Sequence, residues 1–272
     1  MIFVVLPAWN EERVIGATLL ALEAAMRGRE GEYQAVLVDD GSRDHTAEEA
    51  ERAVVASGGT LPLTVLRHVL NRGLGAGLQT GIYWCLEQAE DDDVIVTLDA
   101  DNTQPPALIP ALVRKLDEGN DIVIASRYRS GAEVHGVPGY RRALSDLGRM
   151  VFQALYPIRG VRDYTCCFRA YRASVLRRAR WVYGEELWTA RGFEAVMDLL
   201  LRLGSLGARV DEVGFVLDYS DRVGQSKMNV LRTVRKTLTL LVRRRLEGVT
   251  RSSSSRVRAR LDAIKRAPVT IR

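Results

Sequence analysis

Two aspartates one residue apart, Asp99 and Asp101, follow directly on the apolar run Val94-Ile95-Val96-Thr97-Leu98. Carboxylates at the end of a buried strand lie where open α/β sheets bind their ligands. Hard oxygen donors at this spacing suit Mg²⁺ or Mn²⁺ held against a diphosphate. Two solvated loop carboxylates would read the same way, so the pair takes its meaning from the other turns that share its edge of the sheet. Those turns are Pro7-Ala8-Trp9-Asn10-Glu11-Glu12, Asp39-Asp40-Gly41-Ser42-Arg43-Asp44-His45-Thr46 and Asp99-Ala100-Asp101-Asn102-Thr103-Gln104. Asn10 or Asp44 could cap the helix that follows, and Gly41 could serve a turn. Asp39 and Asp40 are adjacent like charges and need a partner or water.

Short, nearly all-apolar runs at Ile2–Leu6, Ala35–Val38, Leu63–Leu66, Val94–Leu98 and Ile122–Ala125 predict strands buried on both faces. Helix-length segments at Glu12–Arg27, Thr46–Ala56, Leu74–Gln88 and Pro106–Glu118 separate them. The alternation predicts an α/β protein with a mostly parallel central sheet, helices on both faces and function at the carboxyl ends of the strands.

The 272 residues, 47% hydrophobic and 27% charged, fit one large globular domain with an extension. No run approaches the roughly 18 apolar residues of a membrane span, and the first residues read as a strand rather than a leader, so a cytoplasmic location is expected. Cys85, Cys166 and Cys167 have neither zinc spacing nor the even count of a disulfide framework, and read as reduced packing residues. Charge is divided along the chain: residues 222–272 hold 15 Lys and Arg against two acidic residues, whereas residues 1–221 hold 24 against 32. A basic end on an acidic body points to an anionic surface as partner.

The set Pro7-x-x-Asn10-Glu11-Glu12, Val38-Asp39-Asp40-Gly41-Ser42-x-Asp44-x-Thr46, Asn71-x-Gly73-x-Gly75, Asp99-x-Asp101 and Ala125-Ser126-Arg127-Tyr128 resembles family 2 glycosyltransferases of the GT-A (Rossmann-like nucleotide-diphospho-sugar transferase) fold. Val161-Arg162-Asp163-Tyr164-Thr165-Cys166-Cys167-Phe168-Arg169 and Asp221-Arg222-Val223-Gly224-Gln225-Ser226-Lys227 are similar to later motifs of the dolichol-phosphate mannose synthase group and its bacterial polyprenyl-phosphate relatives. The resemblance implies a metal-dependent, inverting transfer of a hexose from a nucleotide-diphosphate-sugar, of the GDP-mannose or UDP-glucose type, to a polyprenyl phosphate. It places Pro7, Trp9, Glu11, Asp39, Asp40, Ala100 and Lys227 in the donor pocket. Asp99 and Asp101 match the metal motif, with Thr103 or Gln104 as a further protein contact to Mg²⁺ or Mn²⁺. Arg127 and Arg222 become phosphate clamps, because guanidinium forks match phosphate oxygens.

The acceptor depends on whether a base is needed. A hydroxyl must lose a proton as it attacks, which makes Asp163 a candidate base, or an orienting group, for a saccharide or natural-product acceptor. A lipid phosphate is already ionised and needs only positioning, for which Arg141, Arg142 and Ser145 are candidates. The resemblance implies Ser-Gly where this chain has Cys166-Cys167, a gain of bulk expected near the acceptor. A non-catalytic nucleotide-sugar scaffold is the third reading; the full set of metal and phosphate residues speaks against it. Asp99-x-Asp101-x-Thr103 also matches a phosphatase nucleophile motif, but that motif belongs on a first strand and here follows a fourth.

These motifs divide the chain into a catalytic domain over 1–227, a basic amphipathic helix over 228–250 and a basic, Ser-rich flexible tail over 251–272. Within the helix, Leu231, Val234, Leu238, Leu241 and Val242 share a broad face, with Arg232, Arg235, Lys236 and Arg243 to Arg245 elsewhere. It can lie in the headgroup region of an anionic membrane, directly or beside a membrane-spanning partner, or it can pack on the domain with its basic face in water. Nucleic acid is not the expected partner, because no aromatic residues interleave with the charges.

Overall fold

A computed structural model describes residues 1–137, 139–218, 230–247, 257, 259 and 260. Strands β1 (Ile2–Ala8), β2 (Tyr33–Asp39), β3 (Leu63–Arg67), β4 (Val94–Thr97) and β5 (Ile122–Ser126) fall where the apolar runs predict them. Helices α1 (Ile15–Ala25), α2 (Thr46–Ala56), α3 (Leu74–Gln88) and α4 (Ile109–Asp117) fill the gaps, α4 entered by a 3₁₀ turn at Pro106–Leu108. α1 starts later than its sequence pattern suggests. The Glu12 N–H donates to Asp44 Oδ2 at 3.2 Å, and Glu12 Oε2 accepts the His45 N–H at 3.1 Å. The expected first turn of the helix is instead spent joining two loops.

The second half adds β6 (Glu133–His135), α5 (Gly139–Leu155), β7 (Arg169–Arg172), α6 (Ala173–Tyr183), α7 (Glu194–Ser205), β8 (Val210–Gly214), β9 (Val216–Asp218) and α8 (Val230–Glu247). Seven strands form one sheet in the order β3-β2-β1-β4-β7-β5-β8, and β6 pairs with β9 apart from it. All neighbours in the large sheet are parallel except β7, which runs antiparallel to both β4 and β5. Register pairs Thr97 with Arg169 and Ile124 with Arg169, so the start of β7 lies at the edge where β4 and β5 end. The 161–168 segment is therefore delivered beside Asp99 and Arg127. Periodicity alone does not reveal this inserted strand.

The core runs under the whole sheet. Val4, Val5, Leu6, Val36, Leu37, Val38, Ile95 and Val96 are fully buried. α3 lies close on β1 because Gly77 and Gly81, one turn apart, present no side chain there. A Cβ on Gly81 would stand 2.4 Å from Val5 Cγ1 and 3.0 Å from Val38 Cγ2. α8 packs against α7, with Leu240 and Leu241 buried and Leu238 and Val242 exposed. Among the described residues no helix is long and apolar enough to cross a membrane.

Overpacking a rigid core costs about 1–3 kcal/mol, whereas Gly to Ala within a helix gains about 1 kcal/mol. Gly81→Ala is accordingly expected to lower stability in a urea melt. An unchanged midpoint would mean that α3 does not sit as tightly on β1 as described.

Candidate functional site

The β1 and β2 turns are knitted together by their own polar groups. The Asn10 N–H donates to Ser42 Oγ at 2.9 Å, and Asn10 Oδ1 accepts the Arg43 N–H at 2.8 Å. Asn10 takes a left-handed φ of 56°, which asparagine tolerates better than most residues. The Glu11 N–H donates to Thr46 Oγ1 at 2.8 Å, and Asp44 Oδ1 accepts the Thr46 N–H at 3.1 Å. Asn10 and Asp44 thus brace loop against loop, and Asp44 also accepts the first N–H of α2, whereas no side chain caps α1. Pro7 lies within β1, which ends at Ala8, and Trp9 beyond it is 39% exposed.

Asp39 and Asp40 have different surroundings. Asp40 accepts from the Arg72 N–H at 2.9 Å and the Gly73 N–H at 2.8 Å, and its Oδ1 lies 2.6 Å from His68 Nδ1. A carboxylate facing three donors is well compensated and holds the turn before α3 in place. In the neutral ring, His68 Nδ1 carries the proton and Nε2 accepts from the Thr80 hydroxyl at 2.9 Å. Asp39 Oδ1 accepts the Ser42 N–H at 2.9 Å, and its Oδ2 has no hydrogen-bond partner among the described residues. Of the two, Asp39 is the one with an oxygen left for a ligand.

At the end of β4 each acidic side chain has a polar escort. Gln104 Nε2 donates to Asp99 Oδ2 at 2.6 Å, while Gln104 Oε1 accepts the Asp99 N–H at 3.0 Å. The Thr103 hydroxyl donates to Asp101 Oδ1 at 2.6 Å. Thr103 and Gln104, expected as metal contacts, are buried and hydrogen-bond the two carboxylates, so they orient them. Asn102, at φ 58°, makes the bend that presents the two aspartates. Ala100, expected at the donor, is buried, and its carbonyl accepts from the Thr18 hydroxyl at 3.3 Å. Among the described residues no three or more His, Cys, Asp or Glu side chains are grouped to hold a metal. Two hard carboxylates fit Mg²⁺ or Mn²⁺ whose shell is completed by phosphate oxygens and water.

Asp163 lies in a second cluster, fully buried. Arg127 donates from Nε to Asp163 Oδ2 and from Nη2 to Asp163 Oδ1, both at 2.8 Å. The backbone N–H groups of Arg127, Thr165 and Cys166 donate to the same carboxylate. Burial alone would raise the Asp163 carboxyl, but the Arg127 charge and these donors outweigh it and hold the group below the ordinary carboxylate range. Of the two roles expected for Asp163, base or orienting group, its burial and its fork with Arg127 favour the second. Burial likewise works against the Arg127 charge, and Asp163 more than restores it. Arg127 Nη1 makes no hydrogen bond among the described residues.

Cys166 and Cys167 sit between the two clusters, both buried and unpaired. Burial, followed by the charge of Asp163, pushes the Cys166 thiol up to about 12, and burial followed by Asp99 drives Cys167 well above its ordinary value. They are packing residues, as the sequence suggests, and their bulk goes into the core. Cys85 is also buried.

A family model described as Glycosyl transferase family 2 matches residues 3–180. The chain belongs to glycosyl transferase family 2. It is 32% identical over 226 residues to a dolichol-phosphate mannosyltransferase of Pyrococcus furiosus, covering 83% of this chain and 58% of that protein. It is 35% identical over 178 residues to an undecaprenyl-phosphate 4-deoxy-4-formamido-L-arabinose transferase of Pseudomonas paraeruginosa, covering 65% of this chain and 48% of that one. The chain thus spans only about half the length of these curated relatives. Among solved structures, glucosyl-3-phosphoglycerate synthase of Mycobacterium tuberculosis, crystallised with Mn²⁺, UDP and glucosyl-3-phosphoglycerate, superimposes with a TM-score of 0.61 at 23% identity, over 93% of this chain and 81% of that chain. That likeness shows the same α/β fold.

In this family 2 chain, several residues that bear on the site were not singled out from sequence. His68 is one, carrying only the weak signal of its place at the end of an apolar run. Tyr128 and Arg149 are two more. The Tyr128 and Ser145 hydroxyls are 2.8 Å apart, and the Arg149 guanidinium lies 4.7 Å from the Tyr128 ring centroid. Arg149 follows Ser145 by one helical turn, a spacing that could have marked it. Glu212 on β8 is the fourth: its Oε1 accepts the Arg162 and Asp163 N–H groups, each at 2.6 Å, and burial raises its carboxyl above the ordinary value despite them. Arg222 and Lys227, and the side chains of Arg141 and Arg142, lie outside the described residues.

Breaking a buried pair from one side costs about 3–5 kcal/mol, so Asp163→Asn should destabilise strongly at neutral pH. Because the folded carboxyl titrates below its unfolded value, its contribution is complete above pH of about 4 and is lost as pH falls through the folded value. The stability gap between wild type and Asp163→Asn should therefore narrow in acid denaturant melts. A gap independent of pH would contradict the pairing.

Proposed function

We propose that this chain is a metal-dependent, inverting hexosyltransferase that moves one sugar from a nucleotide-diphosphate donor of the GDP-mannose or UDP-glucose type to a polyprenyl phosphate at the cytosolic face of a membrane. The observation that carries the acceptor is the state of Asp163. A hydroxyl acceptor needs a carboxylate that can take a proton, and Asp163 is buried and committed to Arg127. A phosphate acceptor arrives ionised and needs only cations and donors, which Arg127, Arg149, Ser145 and Tyr128 supply around one spot. The relatives' names support a lipid phosphate as acceptor.

Asp99 and Asp101 would hold Mg²⁺ or Mn²⁺. When bound, such an ion neutralises the diphosphate and stabilises charge on the departing nucleotide diphosphate. Asp39 is assigned to the base or ribose, with Trp9 and Pro7 flanking it and Glu11 near the same turn. Arg127, through its outer nitrogen, with Arg222 and Lys227 from the later motif, is assigned to phosphate. The acceptor phosphate oxygen bonds to the anomeric carbon as the bond from that carbon to the nucleoside diphosphate breaks, so the diphosphate leaves with the electron pair and the anomeric centre inverts.

The membrane side is assigned to α5. Leu144, Leu147, Met150 and Leu155 are exposed along one side of this helix, while Ser145 and Arg149 turn toward Tyr128. The Tyr156 hydroxyl donates to the Leu241 carbonyl at 2.6 Å, joining the end of α5 to α8. Exposed Leu238 and Val242 and the basic Arg235 of α8 extend the same chemistry. An apolar stripe flanked by cations suits the interface of an anionic bilayer.

Asp101→Ala should bind GDP or UDP in the presence of Mn²⁺ at least about tenfold more weakly by calorimetry, with an unchanged melting temperature. Unaltered Mn²⁺-dependent binding would remove the metal assignment. Leu147→Glu with Met150→Glu should cut co-flotation with vesicles containing anionic lipid while leaving nucleotide binding intact, since both residues are exposed. Undiminished flotation would refute the α5 surface.

A further inference from the structure

Beyond the residues matched by the family model, α8 carries a stripe that faces the body of the protein. Lys236, Leu240 and Arg244 recur every fourth residue. Lys236 Nζ is 3.4 Å from Glu194 Oε1. Arg244 donates from Nε to Asp198 Oδ1 at 2.7 Å and from Nη2 to Asp198 Oδ2 at 2.8 Å. Glu194 and Asp198 are themselves one turn apart on α7 and are buried, as is Arg244. Two cations eight residues apart on α8 thus meet two anions four residues apart on α7, beside the buried Leu240 and Leu241; Asp198 also accepts from Arg202 Nε at 3.4 Å.

The same two carboxylates hold the loop that precedes α7. Glu194 Oε1 accepts the Gly192 N–H at 3.2 Å. The Thr189 hydroxyl donates to Asp198 Oδ2 at 3.3 Å and accepts from Arg244 Nη2 at 3.2 Å. This loop is pressed against the start of α3. The Arg191 carbonyl accepts the Gly75 N–H at 2.9 Å. A Cβ on Gly73 would come within 2.4 Å of the Arg191 carbonyl oxygen, and one on Gly75 within 2.4 Å of the Ala190 carbonyl oxygen. Gly73, at φ 93°, in turn gives its N–H to Asp40. An unbroken series of short contacts therefore runs from α8 through α7 and the 189–193 loop to the Asp40 turn beside Asp39.

We infer that Lys236 and Arg244 are positioning residues for the donor pocket: seating α8 on Glu194 and Asp198 locks the 189–193 loop against Gly73 and Gly75 and so keeps the Asp40 turn in its nucleotide-binding arrangement. This rests on the donor-site reading above. Backbone packing at two glycines leaves that turn no room to shift toward the loop, and freedom returns when α8 no longer holds the two carboxylates, and with them the loop, in place. Coupling is reciprocal, so nucleotide binding tightens the seat of α8 in equal measure. The exposed side of α8, with Arg235, Leu238 and Val242, is where an outside surface can bias that seat.

The test uses the full chain with two variants. Arg244→Lys keeps the charge but removes the two-pronged fork, and Lys236→Met alters a side chain that is 41% exposed and so preserves the fold. Amide hydrogen exchange and calorimetric titration with GDP and with UDP, each with Mn²⁺, are the readouts. Exchange at Gly73, Gly75 and Gly192 should quicken about fivefold or more while α1 and α2 amides stay at wild-type rates. The Kd of the nucleotide that binds wild type should rise by a similar factor, with the KM for acceptor unchanged. Faster exchange confined to α8, or faster exchange at the glycines with an unchanged Kd, overturns the inference and leaves α8 a brace. The donor-site reading is judged separately by Asp101→Ala: if that variant binds nucleotide as wild type does, the donor reading fails whatever the glycine amides show.

Discussion

Arg127 and Asp163 are separated by 36 residues and meet in a buried fork, and the arrangement of the site depends on that meeting. Neither partner would be tolerated there alone, because a single buried charge costs more than most interactions return. The fork is possible because β7 enters the sheet backwards between β4 and β5. Its entry segment then lies at the edge where every parallel strand ends. One inverted strand thus brings the 161–168 segment against both the Asp99-x-Asp101 turn and the Arg127 turn, and the ion pair fixes it there.

The remaining acidic groups illustrate how identical side chains acquire different work from their surroundings. Asp40 faces three donors and holds a turn; Asp39, its neighbour, keeps one oxygen without a hydrogen-bond partner among the described residues. Asp99 and Asp101 are steered by an amide and a hydroxyl. Asp163 and Asp198 are each gripped by a guanidinium fork, one beside the proposed acceptor spot and one behind the donor side. Oxygen-rich surroundings like those of Asp99 and Asp101 suit the divalent ion proposed there.

Much of this was legible in the chain. The five apolar runs marked the first five strands because strands buried on both faces show no alternation, and α2 and α3 fall on their expected residues. The metal-motif turn and the paired loops after β1 and β2 were readable because turn chemistry is local. β7 and β8 were not, since a four-residue strand such as Arg169-Ala170-Tyr171-Arg172 looks polar until its arginines are seen to find backbone carbonyls and Asp117. Asp163 was named as a possible base for the same reason: sequence shows a carboxylate but not the arginine that occupies it. The amphipathic pattern of α8 allowed either a membrane or a protein neighbour for its apolar face. Burial of Leu240 and Leu241 with exposure of Leu238 and Val242 shows that the face is divided between α7 and the surface.

Label transfer into lipid distinguishes a phosphate acceptor from a hydroxyl one. The full chain is incubated with Mn²⁺ or Mg²⁺, a polyprenyl phosphate and GDP- or UDP-sugars labelled in the hexose, and label is followed into the organic phase. Lipid-borne label is expected from one donor, dependent on the metal and on the lipid phosphate, with no transfer when the unphosphorylated polyprenol is supplied. Label passing instead to a soluble hydroxyl compound, or to the polyprenol as readily as to its phosphate, would contradict the assignment of an ionised acceptor that needs no base.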